Sequence, residues 1–381
     1  MESKPMAFCD TKTVLMYMEP SWRFHIALKI PSLRKAEKAT PLIINRLELY
    51  DNRLIVNDTE YQMRVYRQCQ ADAGLYNGEV DDDSDEYGFI ISYAESIQPG
   101  DMLLTDEGRK RRRRGCTLED LQYDCPARLN SLPCNHYIRL YVFGSMSQFP
   151  YTNMKMYHLT RRLLTIFFGN RVESWIIKNL NLKDKVLRWP KDGKKPIVQN
   201  VKFGHYNTYK MNALLSIIDS SVPLASLKTF GRIEVEDYPL FRFVEHLMIP
   251  HFTYYNYNTA LLDLFSIEAS HVSLTTPTTL IDGYLEKLIL KLMKELRPIG
   301  VRYSILVKEK MDLTKIEHTK LLEADRDCIK LEMGDDAVVV VQYAYTDKKT
   351  WLNIEIVPKP NKKHRISSNR SPWASIRGPP F

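Results

Sequence analysis

The alternation of strand-like and helix-like segments between residues 135 and 310 restricts the fold of this chain more than any other feature. Apolar runs such as "SWIIKNLNL" and "VRYSILVKE" are typical of strands, and "KMYHLTRRLLTIFFG" has helical periodicity. Strands that alternate with helices become parallel neighbours joined by right-handed crossovers. The region is therefore predicted to form an irregular leucine-rich-repeat-like strand–helix stack, with an open α/β sheet as the alternative.

Two helices of this region carry specific expectations. The segment "TLIDGYLEKLILKLMKEL" predicts an amphipathic helix with one apolar stripe, formed by Leu285, Leu288, Leu292 and Leu296. The segment "YPLFRFVEHLMI" (238–249) is also predicted to be helical. This assignment places His246 on a helix, as it does His158, and both are interpreted as packed or solvated rather than catalytic.

Antiparallel strands are predicted on both sides of the alternating region. Short alternating runs separated by Asp-Asn and Asn-Asp turns predict a β-meander over 42–70, and two further turns separate three strands within 311–357. The fold class is therefore α/β (α+β). The predicted organisation is a helical unit (1–41), a meander (42–70), an insertion (71–134), the strand–helix region (135–310), C-terminal strands (311–357) and a basic tail (358–381).

Basic residues concentrate in two local segments. The run "RKRRRR" and the tail 358–381 supply twelve positive charges, and subtracting them from the net charge of +8 leaves −4 for the rest. A folded nucleic-acid-binding face normally spreads its basic residues, so this distribution argues against a dedicated nucleic-acid enzyme or repressor. A nucleic-acid or chromatin-associated protein that uses only these two segments remains an alternative.

The basic run lies in a region that is rich in glycine and acidic residues, 71–134, which is predicted to be largely disordered. It is interpreted either as a nuclear localisation segment or as a solvated run that balances the acidic cluster nearby. The residues concerned are Arg109, Lys110, Arg111, Arg112, Arg113 and Arg114. The tail 358–381 is predicted to be disordered as well.

The six cysteines are too few and too scattered for a disulfide scaffold in a chain of 381 residues, so they are interpreted as reduced thiols. No apolar stretch is long enough for a membrane helix, and no secretory pattern opens the sequence, so an intracellular protein of the cytoplasm or nucleus is expected. Cys116, Cys125, Cys134 and His136 have the ligand chemistry of zinc. Their spacing is too long for a structural knuckle, and free thiols are preferred.

Motifs for catalysis and cofactor binding are missing from the sequence. It contains no G-x-S-x-G elbow, no P-loop and no dinucleotide-binding glycine pattern. We therefore expect neither enzymatic activity nor a cofactor. A protein that acts through interaction with other proteins is favoured over an enzyme.

A small helical unit precedes all of these regions. Helices are predicted over Thr11–Met18, Trp22–Lys29 and Leu33–Ala39, with Ser21 and Ser32 as caps of the second and third. Three helices of two turns each are too small to hold a core of their own. The unit must therefore join the larger core or dock onto another protein.

The sequence of this unit resembles a known family. "VLMYMEPSWRFHIALKIPSLRKAEK" is similar to an F-box: Leu15 and Met18 correspond to its first apolar helix, Ile26 and Ile30 to its second, and Pro31–Leu33 to the turn into the third. Together with "LIINRLELYDNRLIVNDTEYQMRVYRQ", it resembles the nematode F-box C proteins. In that family the F-box precedes an associated domain of unknown function.

The resemblance implies a substrate receptor of a cullin–RING ubiquitin ligase. Such a protein would bind the ligase adaptor subunit through its helical unit and an unknown target protein through the rest of the chain. The expected adaptor-binding residues are Leu15, Met18, Trp22, Ile26, Ile30 and Leu33. The alternative is that the same residues pack onto the meander, Ile43–Tyr66, and bind nothing.

Overall fold

The computed structural model describes most of the chain in thirteen segments. They are residues 8–68, 78–83, 91, 96–105, 135–150, 155–205, 208–230, 241–249, 267–278, 284–295, 297–316, 318–346 and 349–360. The basic run 109–114 and the three cysteines at 116, 125 and 134 lie outside these segments, as does nearly all of the tail. The chain divides into two compact units, Met1–Leu224 and Ala225–Phe381.

The first unit begins with the predicted helices. They are α1 (Phe8–Tyr17), α2 (Pro20–Lys29), a 3-10 turn (Pro31–Leu33) and α3 (Arg34–Lys38). The third helix begins one residue later than predicted, because Leu33 belongs to the 3-10 turn, and it ends one residue earlier, at Lys38. Ser21 and Ser32 are not helix caps, and Glu19 caps α2 instead.

The strands of the first unit form a mixed sheet with helices packed on it. Its strands are β1 (Leu42–Ile44), β2 (Leu47–Tyr50), β3 (Arg53–Val56), β4 (Thr59–Gln68), β5 (Gly78–Val80), β6 (Met102–Leu103), β7 (Asn135–Val142), β8 (Ser145–Pro150), β9 (Trp175–Leu182), β10 (Val186–Leu187) and β11 (Ile197–His205). Two further helices follow β8 and β11, α4 (Met156–Phe168) and α5 (Thr208–Ile217).

The meander β2–β3–β4 is antiparallel, as predicted, and it continues through β7 to the β7–β8 hairpin. On the other side of the sheet, β1, β2 and β11 pair with β9 in parallel. The short strands β6 and β10 form a separate antiparallel pair. The first unit therefore joins the predicted meander and part of the strand–helix region in one sheet.

The second unit also contains both parallel and antiparallel strands. Its elements are β12 (Leu224–Phe230), β13 (Val244–Ile249), β14 (His271–Thr278), α6 (Tyr284–Glu295), β15 (Arg302–Val307), β16 (Leu321–Ala324), β17 (Cys328–Met333), β18 (Ala337–Thr346) and β19 (Lys349–Pro358). Strands β13, β14 and β15 are parallel, and β15, β19, β18, β17 and β16 continue antiparallel in that order. The α/β (α+β) class is confirmed.

The predicted helix over 238–249 is wrong. Val244–Ile249 is strand β13, whose residues pair in register with β14 from His246 opposite His271 to Ile249 opposite Leu274. Val244, Leu247 and Ile249 are buried. Pairing with a neighbouring strand and burial on the sheet override a local apolar pattern that also fits a helix.

Helix α6 has the predicted amphipathic character. Leu285, Ile289 and Leu292 are buried at a spacing of four and three residues, which gives one apolar face. The side chains of Leu288 and Leu296 lie outside the described part of the helix. Within the described residues, no helix has the length and apolar character that a membrane crossing requires.

Candidate functional site

The helical unit at the N-terminus is built into the first unit by aromatic packing. Phe24 of α2 is fully buried and stacks on Phe167 of α4, with ring centroids 4.5 Å apart. Phe168 meets the edge of the same ring at 5.6 Å. Fully burying a phenylalanine contributes roughly 1.5–3 kcal/mol, so the burial of Phe24 stabilises the packing of α2 on the first unit.

A buried ionic cluster holds the other side of the unit. Glu37 of α3 accepts hydrogen bonds from Arg23 at 3.0 Å and from Arg171, and all three side chains are at most 2% exposed. Arg23 also donates to the carbonyl oxygen of Pro41 at 2.7 Å. Burial lowers the pKa of both arginines, and the Glu37 carboxylate opposes that effect.

Glu19 fixes the position at which α2 begins. Its carboxylate accepts hydrogen bonds from the backbone N–H of Ser21 at 2.7 Å and from that of Trp22 at 3.2 Å. The same carboxylate accepts from the Asn57 side chain at 2.6 Å, at the turn between β3 and β4. The first turn of α2 is thus capped and tied to the meander through one side chain.

The six residues predicted to bind an adaptor do not share one environment. Leu15 is 3% exposed, and Met18, Ile26 and Leu33 are half-buried. Trp22 and Ile30 are 51% and 46% exposed. Leu15 is therefore a core residue, whereas Trp22 and Ile30 leave about half of their surface exposed. Other exposed apolar side chains of α1 were not predicted: Phe8, Val14, Met16 and Tyr17.

Trp22 belongs to an exposed aromatic cluster. Its ring stacks on Phe143 at 4.6 Å between centroids and 16° between planes, and His25 meets both rings edge-on. Phe143 and Gly144 form the two-residue turn of the β7–β8 hairpin, both with positive φ. A bulky residue in this left-handed conformation costs roughly 1–2 kcal/mol, and aromatic stacking on Trp22 offsets about 0.5–1.5 kcal/mol of it.

A second polar cluster lies in the second unit, on strands β13, β14, β15 and β19. The rings of His246 and His271 stack with centroids 3.9 Å apart, and His246 hydrogen-bonds to Ser273 at 2.7 Å. His271 hydrogen-bonds to Ser304 at 3.0 Å, and Ser304 donates to Asn353 at 2.8 Å. Strand register brings these residues together, because His246, His271 and Arg302 are direct neighbours across the sheet.

Both histidines of this cluster are held neutral. Burial lowers the pKa of His246 to about 4 and that of His271 to about 3, and the positive charge of Arg302 adds to both effects. Ser273 and Ser304 are 4% and 5% exposed, so neither hydroxyl is open to a substrate. The geometry is that of a polar ladder within the sheet rather than an accessible nucleophile and base.

The other predicted sites lie mostly outside the described residues. Arg109–Arg114 and the cysteines at 116, 125 and 134 are not described, so the nuclear localisation and chromatin predictions stay predictions. Across the segments that the structure describes, no group of three or more histidine, cysteine, aspartate or glutamate side chains could hold a metal ion.

Residues 155–309 match the family model of a domain of unknown function, DUF3557. This match agrees with the expectation that a domain of unknown function follows the helical unit. No curated protein matches the chain. No solved structure matches it either.

Proposed function

We propose that this chain is an adaptor that acts through protein–protein contacts and carries out no chemistry of its own. Its partner would be the adaptor subunit of a cullin–RING ubiquitin ligase, bound by the exposed side of α1 and α2. The observation that supports this proposal is the exposure of Trp22. Its indole is half-exposed, although the opposite face of the same helix is fully buried.

The surroundings of Trp22 are suited to binding. The exposed cluster and the apolar residues of α1 include a tryptophan and a tyrosine, the side chains that most often contribute the largest share of binding energy at interfaces. Phe24, Glu37 and the Glu19 cap fix the backbone beneath Trp22, so little conformational freedom is lost on binding. Exposed apolar side chains on such a rigid element favour a docking surface over a cap of the core.

The identity of the partner rests on the resemblance of the N-terminal unit to an F-box. In that role the chain would hold a target protein near the ubiquitin-conjugating enzyme, and proximity alone would raise the rate of transfer. An intracellular location is part of the proposal. The target protein would bind to a part of the chain other than α1 and α2.

Co-purification of the full chain with the ligase adaptor subunit tests this proposal. We expect the double variant Trp22→Ala, Ile30→Asp to bind at least 30-fold more weakly, which corresponds to about 2 kcal/mol. Val222→Asp replaces an exposed apolar residue remote in sequence from the helical unit and should bind normally. Leu15 is not a useful probe because its substitution would disturb the core.

Two outcomes would contradict the proposal. Failure of the intact chain to bind the adaptor subunit at micromolar concentration would remove the ligase role. Undiminished binding by the double variant, with a circular dichroism spectrum like that of the parent, would show that Trp22 and Ile30 are not the docking surface.

A further inference from the structure

A groove in the first unit lies between α2, the β7–β8 hairpin and α4. It encloses about 310 Å³, within the range of sites that bind ligands in proteins. Leu140 and Val142 of β7 and Leu159 and Leu163 of α4 are buried and form its apolar floor. Leu28, Phe149 and Ile166, which also line the groove, are half-buried, so apolar surface remains exposed within it.

The charged residues of the groove are all basic. They are Lys29, Arg34 and Arg162; His25 adds an imidazole, and no carboxylate is among the described lining residues of the groove. Ser145 and Ser147 add hydroxyl groups from the hairpin. A positive potential above an apolar floor therefore characterises this groove.

A second cavity of the same unit, of about 380 Å³, has a different charge pattern. It is lined by Trp175 and Trp189 and by three lysines, but Asp101 and Asp192 line it as well. Asp101 also pairs with Arg161 at 2.7 Å. Carboxylates thus balance the positive charges there, which they do not do in the groove.

We infer that the groove binds an acidic peptide segment of a partner protein, whose apolar side chains enter the floor between α2, β7–β8 and α4. Acidic side chains would pair with the basic rim, and leucine or phenylalanine side chains would cover the exposed parts of Leu28, Phe149 and Ile166. A phosphate backbone would satisfy the rim but leave the apolar floor uncovered. The observations thus favour a peptide over a nucleic acid.

This inference goes beyond the proposed docking of α1 and α2 and can fail independently of it. Arg162 is exposed and lies on α4, and Ile166 follows it one turn later on the same face of that helix. Neither residue belongs to the predicted adaptor-binding set. Substitutions at these positions therefore test the groove while Trp22 and Ile30 are left intact.

The test is fluorescence anisotropy with the full chain and a labelled peptide in which acidic residues alternate with leucine and phenylalanine. We expect Arg162→Glu to weaken binding about tenfold and Ile166→Ser to weaken it about fivefold. Lys178→Glu, at an exposed position on β9 outside the groove, should change affinity less than about twofold. Hydrogen-exchange protection by the peptide should appear in β8 and α4.

Three results would overturn the inference. The first is equal affinity for a peptide in which glutamine and asparagine replace the acidic residues, and the second is equal affinity for one in which serine replaces the apolar residues. The third is tighter binding of a single-stranded RNA of similar length, which would assign the groove to nucleic acid. Loss of adaptor binding in the Trp22 variant with peptide binding retained would separate the two proposals.

Discussion

The two units of the molecule each bury a polar cluster, but they stabilise it in opposite ways. In the first unit, formal charges face each other in the cluster of Arg23, Glu37 and Arg171. In the second, neutral imidazoles, hydroxyls and an amide form a hydrogen-bonded ladder from His246 to Asn353, and the Arg302 guanidinium donates to the same Asn353 oxygen at 3.2 Å. The charged cluster depends on every member being present, whereas the neutral ladder depends on its protonation state.

The largest expected effect comes from breaking the charged cluster. Glu37→Gln would leave two buried guanidinium groups without an opposing charge, so we expect a loss of about 3–5 kcal/mol in the free energy of unfolding. Urea unfolding followed by tryptophan fluorescence measures it. Glu60→Gln at the exposed Arg53–Glu60 pair, 3.3 Å apart, should cost less than about 1 kcal/mol. Equal losses in the two variants would contradict a special role of the buried cluster.

The hydrogen-bonded ladder from His246 to Asn353, called the neutral ladder, should instead lose stability as the pH falls. Both histidines have a folded-state pKa below the ordinary value of 6.5, so the unfolded chain binds more protons than the folded chain between about pH 6.5 and 4. Stability that is fully present above pH 6.5 should fall as the pH approaches 4, by on the order of 2 kcal/mol given the partial exposure of the rings.

Hydrogen exchange of β13, β14 and β15 at pH 7 and pH 4.5 would measure this response. Arg302 lies beside the histidines and opposite Glu355, so it belongs to the same electrostatic environment. The variant His246→Gln, His271→Gln should lose most of the pH dependence. A parent protein whose second unit shows the same protection at both pH values, after correction for intrinsic exchange, would exclude the neutral ladder.

A smaller effect is expected from removing one hydroxyl of the ladder. Ser304 connects His271 to Asn353, and Ser304→Ala would leave both partners with one hydrogen bond fewer. We expect a loss of about 1 kcal/mol, which thermal unfolding can measure. Ser221→Ala, at an exposed turn of the first unit, is the matched control and should be close to neutral.

The smallest expected effect has the opposite sign. Lys38 has its amine buried beside the charged cluster, 4.0 Å from Glu37, and burial lowers its pKa from 10.5 to about 7. Lys38→Met should therefore raise stability by about 0.5–1 kcal/mol below pH 7, where the amine is charged in both states.

The pH dependence of the same substitution sharpens this prediction. In the parent, the unfolded chain holds the Lys38 proton up to about pH 10.5 and the folded chain only to about pH 7, so this residue makes stability rise with pH between these values. The stability advantage of Lys38→Met over the parent should accordingly fall from pH 6 to pH 9 and change sign within that range. A stability difference between variant and parent that is the same at pH 6 and pH 9 would show that burial does not lower the pKa of Lys38.

Periodicity predicted most of the regular elements. The helices α4 and α6 and the strands β9 and β15 follow local apolar patterns that only one type of element fits well. Strand β13 was mistaken for a helix because its short apolar run fits both types, and only pairing with β14 distinguishes them. The α2 cap was missed because serine is a more common N-cap than glutamate.

The sites depend on contacts that a local pattern cannot contain. Trp22 and Phe143 stack although 121 positions separate them in the sequence, and no local pattern indicates this contact. His246 and His271 are neighbours because β13 and β14 pair in register. Since β13 was predicted to be a helix, this pairing could not be predicted. Contacts between strands that are distant in the sequence are therefore the part of the fold that the sequence patterns did not predict.

The link between Glu37 and Arg171 also has a consequence for synthesis on the ribosome. The two residues are 134 positions apart, and chains grow by about 5–20 residues per second. Arg171 is therefore synthesised roughly 7–27 s after Glu37. During this interval Phe24 of α2 lacks Phe167 and Phe168 of α4, on which it packs in the folded chain. The nascent N-terminus is thus an exposed amphipathic segment for much of translation, and chaperone demand should be highest before Arg171 emerges.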